Sequence, residues 1–182
     1  SLGELQADHY QGGSVVVVLL ARALAPLSGS GLITLKLVAI ALSCATLLTL
    51  HLVGRHFFGR RVGALVAAGY LCGPPLVAFW GVCLMGFHAE ATLLGLLLVY
   101  VTLALMTARW RGPLAWGAAG LLATFGVWFT PTAGIAVVAC AIAGWLVRGL
   151  PPRRAVPPVV AGALVGAIPW ICLLYTSPSP RD

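Results

Sequence analysis

Acidic residues are scarce in this sequence. Only 4 of its 182 residues are Asp or Glu, against 11 Lys or Arg, which gives a net charge of +7. Charged residues make up 8% of the chain and hydrophobic residues 60%, and the mean hydropathy is +1.02. Soluble domains carry about 25% charged residues, so this composition excludes one and predicts a membrane protein. We interpret the basic excess as a topology signal, not as a nucleic-acid surface.

The motifs of soluble enzymes and metal sites are missing as well. The five cysteines form no CxxC pair and lie mostly in apolar runs, where a thiol behaves as a small hydrophobic group. The sequence has no HExxH pattern, P-loop, Rossmann glycine pattern or GxSxG elbow. We therefore expect no disulfide framework, no metal site and no bound cofactor.

Long apolar runs dominate what is present. A hydrocarbon core about 30 Å thick needs about 20 apolar residues per helix. The pattern predicts an all-α fold, a polytopic transmembrane helical bundle. Small-xxx-small pairs at Gly69–Gly73 and Gly162–Gly166 are typical of close packing between membrane helices. The expected spans are residues 32–53, 62–80, 87–107, 113–129, 131–147 and 156–171.

Three loops between these spans hold most of the positive charge. Residues 54–61, 108–113 and 148–154 contain eight of the eleven basic residues and no acidic residue. The positive-inside rule places such loops in the cytoplasm. Because two spans separate each pair of loops, 62–107 and 113–147 are predicted to form helical hairpins with their tips on the outer side.

The run at 12–27 is harder to interpret. It is short, opens with two glycines, carries Arg22 and ends at Pro26. We interpret it as an interfacial or re-entrant helix on the outer side, because a short charged helix is a poor span. A membrane-spanning helix is the alternative, and it would place the residues before it in the cytoplasm.

The two ends of the chain suggest an internal piece of a longer protein. The chain does not begin with Met, and no charged region of a signal peptide precedes the first apolar run. Residues 172–182 change abruptly to a short Ser/Pro-rich string, which we interpret as a non-native read-through tail. Residues 1–171 are then one membrane-embedded domain.

Glu90 is the best-placed carboxylate for chemistry. The predicted topology puts it on the outer side at the start of span 87–107, and ionisable residues near the membrane are functional candidates. His88 lies two residues earlier. Side chains at positions i and i+2 of a helix point to different faces, so His88 and Glu90 form no local dyad if both are helical. Alternatively, Glu90 complements the positive N-terminal end of its helix and His88 sits at the interface.

Two further groups lie on the same side under this topology. Asp8, His9 and Tyr10 form a polar approach to a helix whose glycines would admit a ligand, although an ordinary loop and helix start explains them as well. Lys36 lies one turn inside span 32–53. Its ammonium group is interpreted as snorkelling to headgroups, with contact to the phosphate of a lipid-linked substrate as the alternative.

Several strings follow one another in a distinctive order. A polar strip ending in Gly-Gly-Ser precedes a short apolar helix and Gly31-Leu-Ile-Thr-Leu-Lys-Leu-Val38, and Leu52-Val-Gly-Arg-His-Phe-Phe-Gly-Arg-Arg61 comes next, before a Gly-Pro-Pro turn. Gly86-Phe-His-Ala-Glu90 follows. Over residues 8–171 this order resembles the N-terminal third of a GT-C glycosyltransferase, the superfamily of aminoarabinose transferases and protein O-mannosyltransferases.

The resemblance implies an enzyme of a bacterial-type plasma membrane, whose partners are membrane lipids and a sugar donor carried on polyprenyl phosphate. Such enzymes transfer the sugar, with inversion, to an acceptor on the outer face. In that family the catalytic aspartate lies upstream of the short interfacial helix, so Asp8 becomes a supporting residue and this piece alone is expected to be inactive. The residues that match catalytic positions are Asp8 and Glu90, with the base itself expected upstream of Asp8, and the implied substrate-binding residues are His9, Tyr10, Lys36 and His88.

A transporter is the competing hypothesis. In that case Glu90, His88 and Lys36 would line a translocation path, and helices broken at Gly73-Pro74-Pro75 and at Thr130-Pro131 would support it. A membrane scaffold without chemistry is a third, weaker interpretation. The polar residues of the sequence lie at the ends of the spans, which favours sugar transfer over a path through the membrane.

Overall fold

A computed structural model describes residues 12–28, 31–73, 89–110 and 112–176. This part of the chain is helical and contains no strand, which confirms the predicted all-α class. A π-helical turn, Gly54–Phe58, follows the second helix, and a 3-10 turn, Arg153–Ala155, precedes the last. The helices are α1 (Gly12–Ser28), α2 (Gly31–Val53), α3 (Arg60–Leu71), α4 (Ala89–Met106), α5 (Pro113–Phe129), α6 (Ala133–Arg148) and α7 (Val156–Thr176).

Most helix ends lie close to the predicted ends. Helix α5 has the same bounds as the predicted span 113–129. Pro113 occupies its first position, where proline is suited to a helix start. Helix α3 covers residues 62–71 of the predicted span 62–80 and ends at a turn at Cys72, and residues 74–80 lie outside the described residues. Helix α7 continues to Thr176, five residues beyond the predicted boundary at residue 171.

Glycines with positive φ mark two of the turns. Gly59 (φ 100°) separates the π-helical turn from α3, and Gly149 (φ 75°) ends α6. L-residues with a Cβ rarely adopt these backbone angles, so glycine is the residue suited to both turns. Ala108 also has a positive φ, 54°, at the turn that follows α4.

Helices α5 and α7 approach each other so closely that their backbones touch. A Cβ atom added at Gly162 would lie 1.9 Å from the carbonyl oxygen of Gly117, and one added at Gly120 would lie 2.1 Å from that of Val159. Such approach is possible only where side chains are absent, and it resembles the small-residue contacts of membrane helices. Gly54 and Gly63 permit a similar contact between the π-helical turn and α3.

Helix α4 lies at the centre of the described bundle, because it packs against α2, α5 and α6. Its buried side chains include Leu98, Val101 and Ala104. Helix α1 packs against α2 and α5. The core therefore consists mainly of small and aliphatic side chains around α4, together with the buried rings of Trp128 and Phe129 on α5.

Much of the remaining apolar surface is exposed. Leu114 is 88% exposed, Leu150 82% and Ile135 75%. Two helical stretches, Gly31–Phe58 and Arg153–Cys172, are long and apolar enough to cross a membrane, and only 11% of the apolar window in the second is buried. The other apolar helices of the described chain are shorter, with 10–17 residues in their apolar segments.

Candidate functional site

The three basic loops meet at one end of the bundle, which we call the basic end. His56 Nδ1, in the π-helical turn, lies 2.9 Å from the hydroxyl oxygen of Tyr100 on α4, and Phe57 packs edge-on against the Tyr100 ring. Tyr100 also packs edge-on against Trp110, in the loop between α4 and α5. These contacts join the first basic loop to the second.

The third basic loop is attached through Arg148. Its Nε donates a hydrogen bond to the carbonyl oxygen of Met106 at the end of α4. Arg154 and Trp110 line the same cavity as Arg148, so all three loops belong to one end of the molecule. Arg148 and Arg154 line this one cavity although none of the three loops contains an acidic residue.

The opposite end of the bundle contains Glu90, and we call it the Glu90 end. Helices α2 and α4 both end at the basic end, so both begin at the Glu90 end. Helix α5 runs in the opposite direction and ends at the Glu90 end. Three buried polar residues lie at this end: Thr34 (0% exposed) on α2, Glu90 (4%) on α4 and Thr130 (3%) directly after α5. The two ends of the bundle thus carry different chemistry.

The carboxylate of Glu90 belongs to the first turn of α4. Its Oε2 atom is buried away from solvent. A negative charge in the first helical turn is stabilised by the helix dipole, and burial strengthens that interaction by excluding water. A carboxylate at such a position is suited to accept a proton or hydrogen bonds from a polar substrate group.

Lys36 belongs to the same end but not to the same environment. It lies five residues after the start of α2, and its side chain is exposed whereas that of Glu90 is buried. Exposure agrees with the snorkelling interpretation of this lysine. The other predicted site residues, Asp8, His9, Tyr10 and His88, lie outside the described residues.

The turn between α5 and α6 closes the Glu90 end. The Thr130 and Thr132 hydroxyls lie 3.0 Å apart, and the backbone N–H of Ala133 donates to the Thr130 carbonyl oxygen. The predicted break at Thr130-Pro131 is therefore a turn between two helices and does not interrupt a single span. The corresponding proposal for Gly73-Pro74-Pro75 lies mostly outside the described residues.

Threonines deeper in the helices satisfy their own hydrogen bonds. The hydroxyl of Thr46 donates to the carbonyl of Leu42, that of Thr49 to Ala45 and that of Thr124 to Gly120. Each bond returns to the preceding turn of the same helix, which is how hydroxyls are accommodated in an apolar environment. The hydroxyl protons of these three side chains are thus used within their own helices.

One cavity was not predicted from the sequence. It has a volume of about 700 Å³ and lies between α4, α5 and α6, reaching the loop after α6. Its walls are mostly apolar, and two arginines and three tryptophans line it near the basic end. The nearest signal in the sequence was the set of tryptophans beside the basic loops, which alone is typical of any membrane interface.

Within the described part of the chain, no group of three or more His, Cys, Asp or Glu side chains is arranged to hold a metal ion. Comparison of the sequence with protein-family models and curated proteins, and of the fold with solved structures, gives no significant match.

Proposed function

We propose that this chain is part of a polytopic membrane glycosyltransferase, similar to the GT-C enzymes, that transfers a sugar from a polyprenyl-phosphate carrier to an acceptor on the outer face. The observation that carries the proposal is the burial of Glu90, together with Thr34 and Thr130, at the end of the bundle opposite the three basic loops. Resemblance of the sequence to that superfamily supports the choice of reaction.

The exposed apolar surface supports a membrane location. Helices α2 and α7 are long enough to span, and leucine and isoleucine side chains remain exposed on several helices. The 18 residues of α4 extend about 27 Å, close to the thickness of a hydrocarbon core. The shorter helices α5 and α6 span if the bilayer thins locally or flanking side chains snorkel.

The charge distribution supports the orientation. Arginine-rich loops stay in the cytoplasm during insertion, so the basic end faces inward and the Glu90 end faces outward. Lipid-linked sugar and acceptor would then meet at the outer end. Transfer at that end requires a carboxylate to accept the acceptor proton, and Glu90 lies there.

The chemistry assigned to this end is a displacement at the anomeric carbon. The acceptor oxygen forms a bond to that carbon as the bond from carbon to the phosphate oxygen breaks, and the acceptor proton passes to a carboxylate. Glu90 either takes that proton or orients the substrate hydroxyls. A cationic side chain such as Lys36 would stabilise the departing polyprenyl phosphate, which leaves as an anion.

Midplane chemistry receives less support. The hydroxyls of Thr46, Thr49 and Thr124 donate to carbonyl groups of their own helices, so among the described residues these three protons are already used and do not bind a transported solute. A transporter is therefore less well supported than a transferase.

The test uses membrane vesicles from cells that express the full gene encoding this chain. Polyprenyl phosphate carrying radiolabelled mannose or aminoarabinose is supplied in separate reactions to right-side-out and inside-out vesicles. We expect label to pass from the lipid fraction to an acceptor fraction in right-side-out vesicles, and not in vesicles lacking the gene product. Retention of all label on the lipid with both donors would contradict the proposal, and uptake of radiolabelled free mannose by the same vesicles would then indicate a transporter.

A further inference from the structure

Small residues on two neighbouring helices create the cavity at the basic end. Its walls include Ala119 and Ala123 on α5 and Ala141 and Gly144 on α6. Small side chains on two neighbouring helices leave space between them that larger residues would fill. The resulting volume, about 700 Å³, lies in the range of small-molecule binding sites.

The depth of the cavity matches one leaflet of a bilayer. Along α6 it extends from Arg148 to Val137, and eleven residues of α-helix rise about 16 Å. Half of a hydrocarbon core about 30 Å thick is nearly the same distance. A ligand that fills the cavity therefore starts at the membrane surface and ends near the midplane.

The basic end of the cavity carries positive charge and aromatic rings. Arg148 and Arg154 line it there, together with Trp110, Trp116 and Trp145. The hydrogen bond from Arg148 Nε to the Met106 carbonyl fixes one edge of that guanidinium group and leaves its other N–H donors available. Tryptophans at this level are typical of the headgroup region of a bilayer.

We propose that the cavity binds one anionic phospholipid of the inner leaflet, with its phosphate on Arg148 and Arg154 and one acyl chain between α4, α5 and α6. Guanidinium groups bind phosphate oxygens through charge-assisted hydrogen bonds. The apolar walls of the cavity contact the acyl chain of the lipid. This site lies at the end of the bundle opposite Glu90, and the proposal does not depend on sugar transfer.

Charge complementarity selects the occupant. No acidic residue occurs in the three basic loops, so no carboxylate of these loops neutralises Arg148 or Arg154. A zwitterionic lipid such as phosphatidylcholine also carries a phosphate, but its choline cation would compete with the two guanidinium groups for that negative charge. Free phosphate would leave the apolar walls empty. A phospholipid with net negative charge satisfies both parts of the site.

Native mass spectrometry of the full-length protein, released from nanodiscs of mixed phosphatidylglycerol and phosphatidylcholine, tests the proposal. We expect one phosphatidylglycerol to remain bound per chain and phosphatidylcholine to be lost. Substituting both Arg148→Gln and Arg154→Gln should lower the retained fraction about tenfold or more, because both guanidinium groups that bind the phosphate are lost. A large excess of inorganic phosphate should not displace the lipid.

Two controls separate this site from general electrostatics and from misfolding. Arg60→Gln with Arg61→Gln removes the same charge from the first basic loop and should leave lipid retention unchanged. Gly144→Leu places a side chain in open space within the cavity and should abolish retention without unfolding the protein, whereas Gly69→Leu, also in open space but on α3, should not.

Equal loss of lipid in both arginine pairs would overturn the proposal, as would retention of phosphatidylcholine to the same extent. Displacement by inorganic phosphate would also overturn it and indicate a simple anion site. If Gly144→Leu retains as much lipid as the unaltered protein, the acyl chain does not occupy the cavity and the assignment fails.

Discussion

The Nδ1 atom of His56 lies 2.9 Å from the hydroxyl oxygen of Tyr100, and this contact joins the π-helical turn after α2 to the central helix α4. The two residues are separated by 44 positions in the sequence. Because Tyr100 also packs against Trp110, one side chain connects two of the three basic loops. The shared position of these loops, on which the orientation of the protein depends, rests in part on this residue.

Removing the Tyr100 hydroxyl should loosen the basic end. Tyr100→Phe retains the ring packing and deletes the hydrogen bond to His56, so we expect the free energy of unfolding to fall by about 1 kcal/mol. Tyr70→Phe, the same chemical change on α3, is the control. Thermal unfolding of the purified protein in detergent measures both. Equal midpoints for Tyr100→Phe and the unaltered protein would show that the contact adds no stability.

The contact between α5 and α7 should tolerate no side chain at Gly162. Gly162→Ala places a methyl group 1.9 Å from the Gly117 carbonyl oxygen, so the helices must separate, at a cost of about 1–3 kcal/mol or more. Gly69→Ala, which meets no atom within 4 Å, should instead be neutral or stabilising by about 0.4–1 kcal/mol.

The same thermal assay compares the two glycine variants. A lower midpoint for Gly162→Ala and an unchanged or higher midpoint for Gly69→Ala is the expected result. Similar midpoints for both would mean that α5 and α7 are not in backbone contact in the folded protein.

Membrane orientation gives a third prediction. With the native cysteines replaced, a cysteine introduced by Thr132→Cys at the Glu90 end should react with an impermeant maleimide added outside intact cells. One introduced by Leu150→Cys at the basic end should react only after the membrane is opened, because arginine-rich loops remain in the cytoplasm. Labelling of Leu150→Cys but not Thr132→Cys in intact cells would show that the basic end faces outward, which is the opposite of the predicted topology.

Helix boundaries were largely predictable from the sequence, because arginine-rich loops, prolines and glycines interrupt otherwise apolar runs. Helix α5 has the same bounds, 113–129, as one of the predicted spans, and Pro113 and Thr130 mark its two ends. The neighbouring helix that each glycine contacts was not predictable. Gly69 and Gly162 occur in the same small-xxx-small pattern, yet Gly162 contacts a neighbouring backbone and Gly69 meets no atom within 4 Å.

The candidate site was predictable only in part. Glu90 attracted attention because carboxylates are rare in this chain, and the structure shows that it is buried. Its grouping with Thr34 and Thr130 at one end depends on how α2, α4 and α5 pack, which a single sequence does not specify. The cavity beside Arg148 depends on the spacing between three helices and could not be inferred from composition.

Sugar transfer by the full-length protein carrying Glu90→Gln tests the proposed role of this carboxylate. This change keeps the size of the side chain and removes its negative charge. We expect transfer from the polyprenyl-phosphate donor to fall about 100-fold or more, the scale of general acid–base catalysis, with expression unchanged. Glu90→Asp should retain more activity than Glu90→Gln, and Arg22→Gln, a charge change on the exposed side of α1, should retain nearly all of it. Unchanged transfer by Glu90→Gln would contradict the account and remove Glu90 from the site.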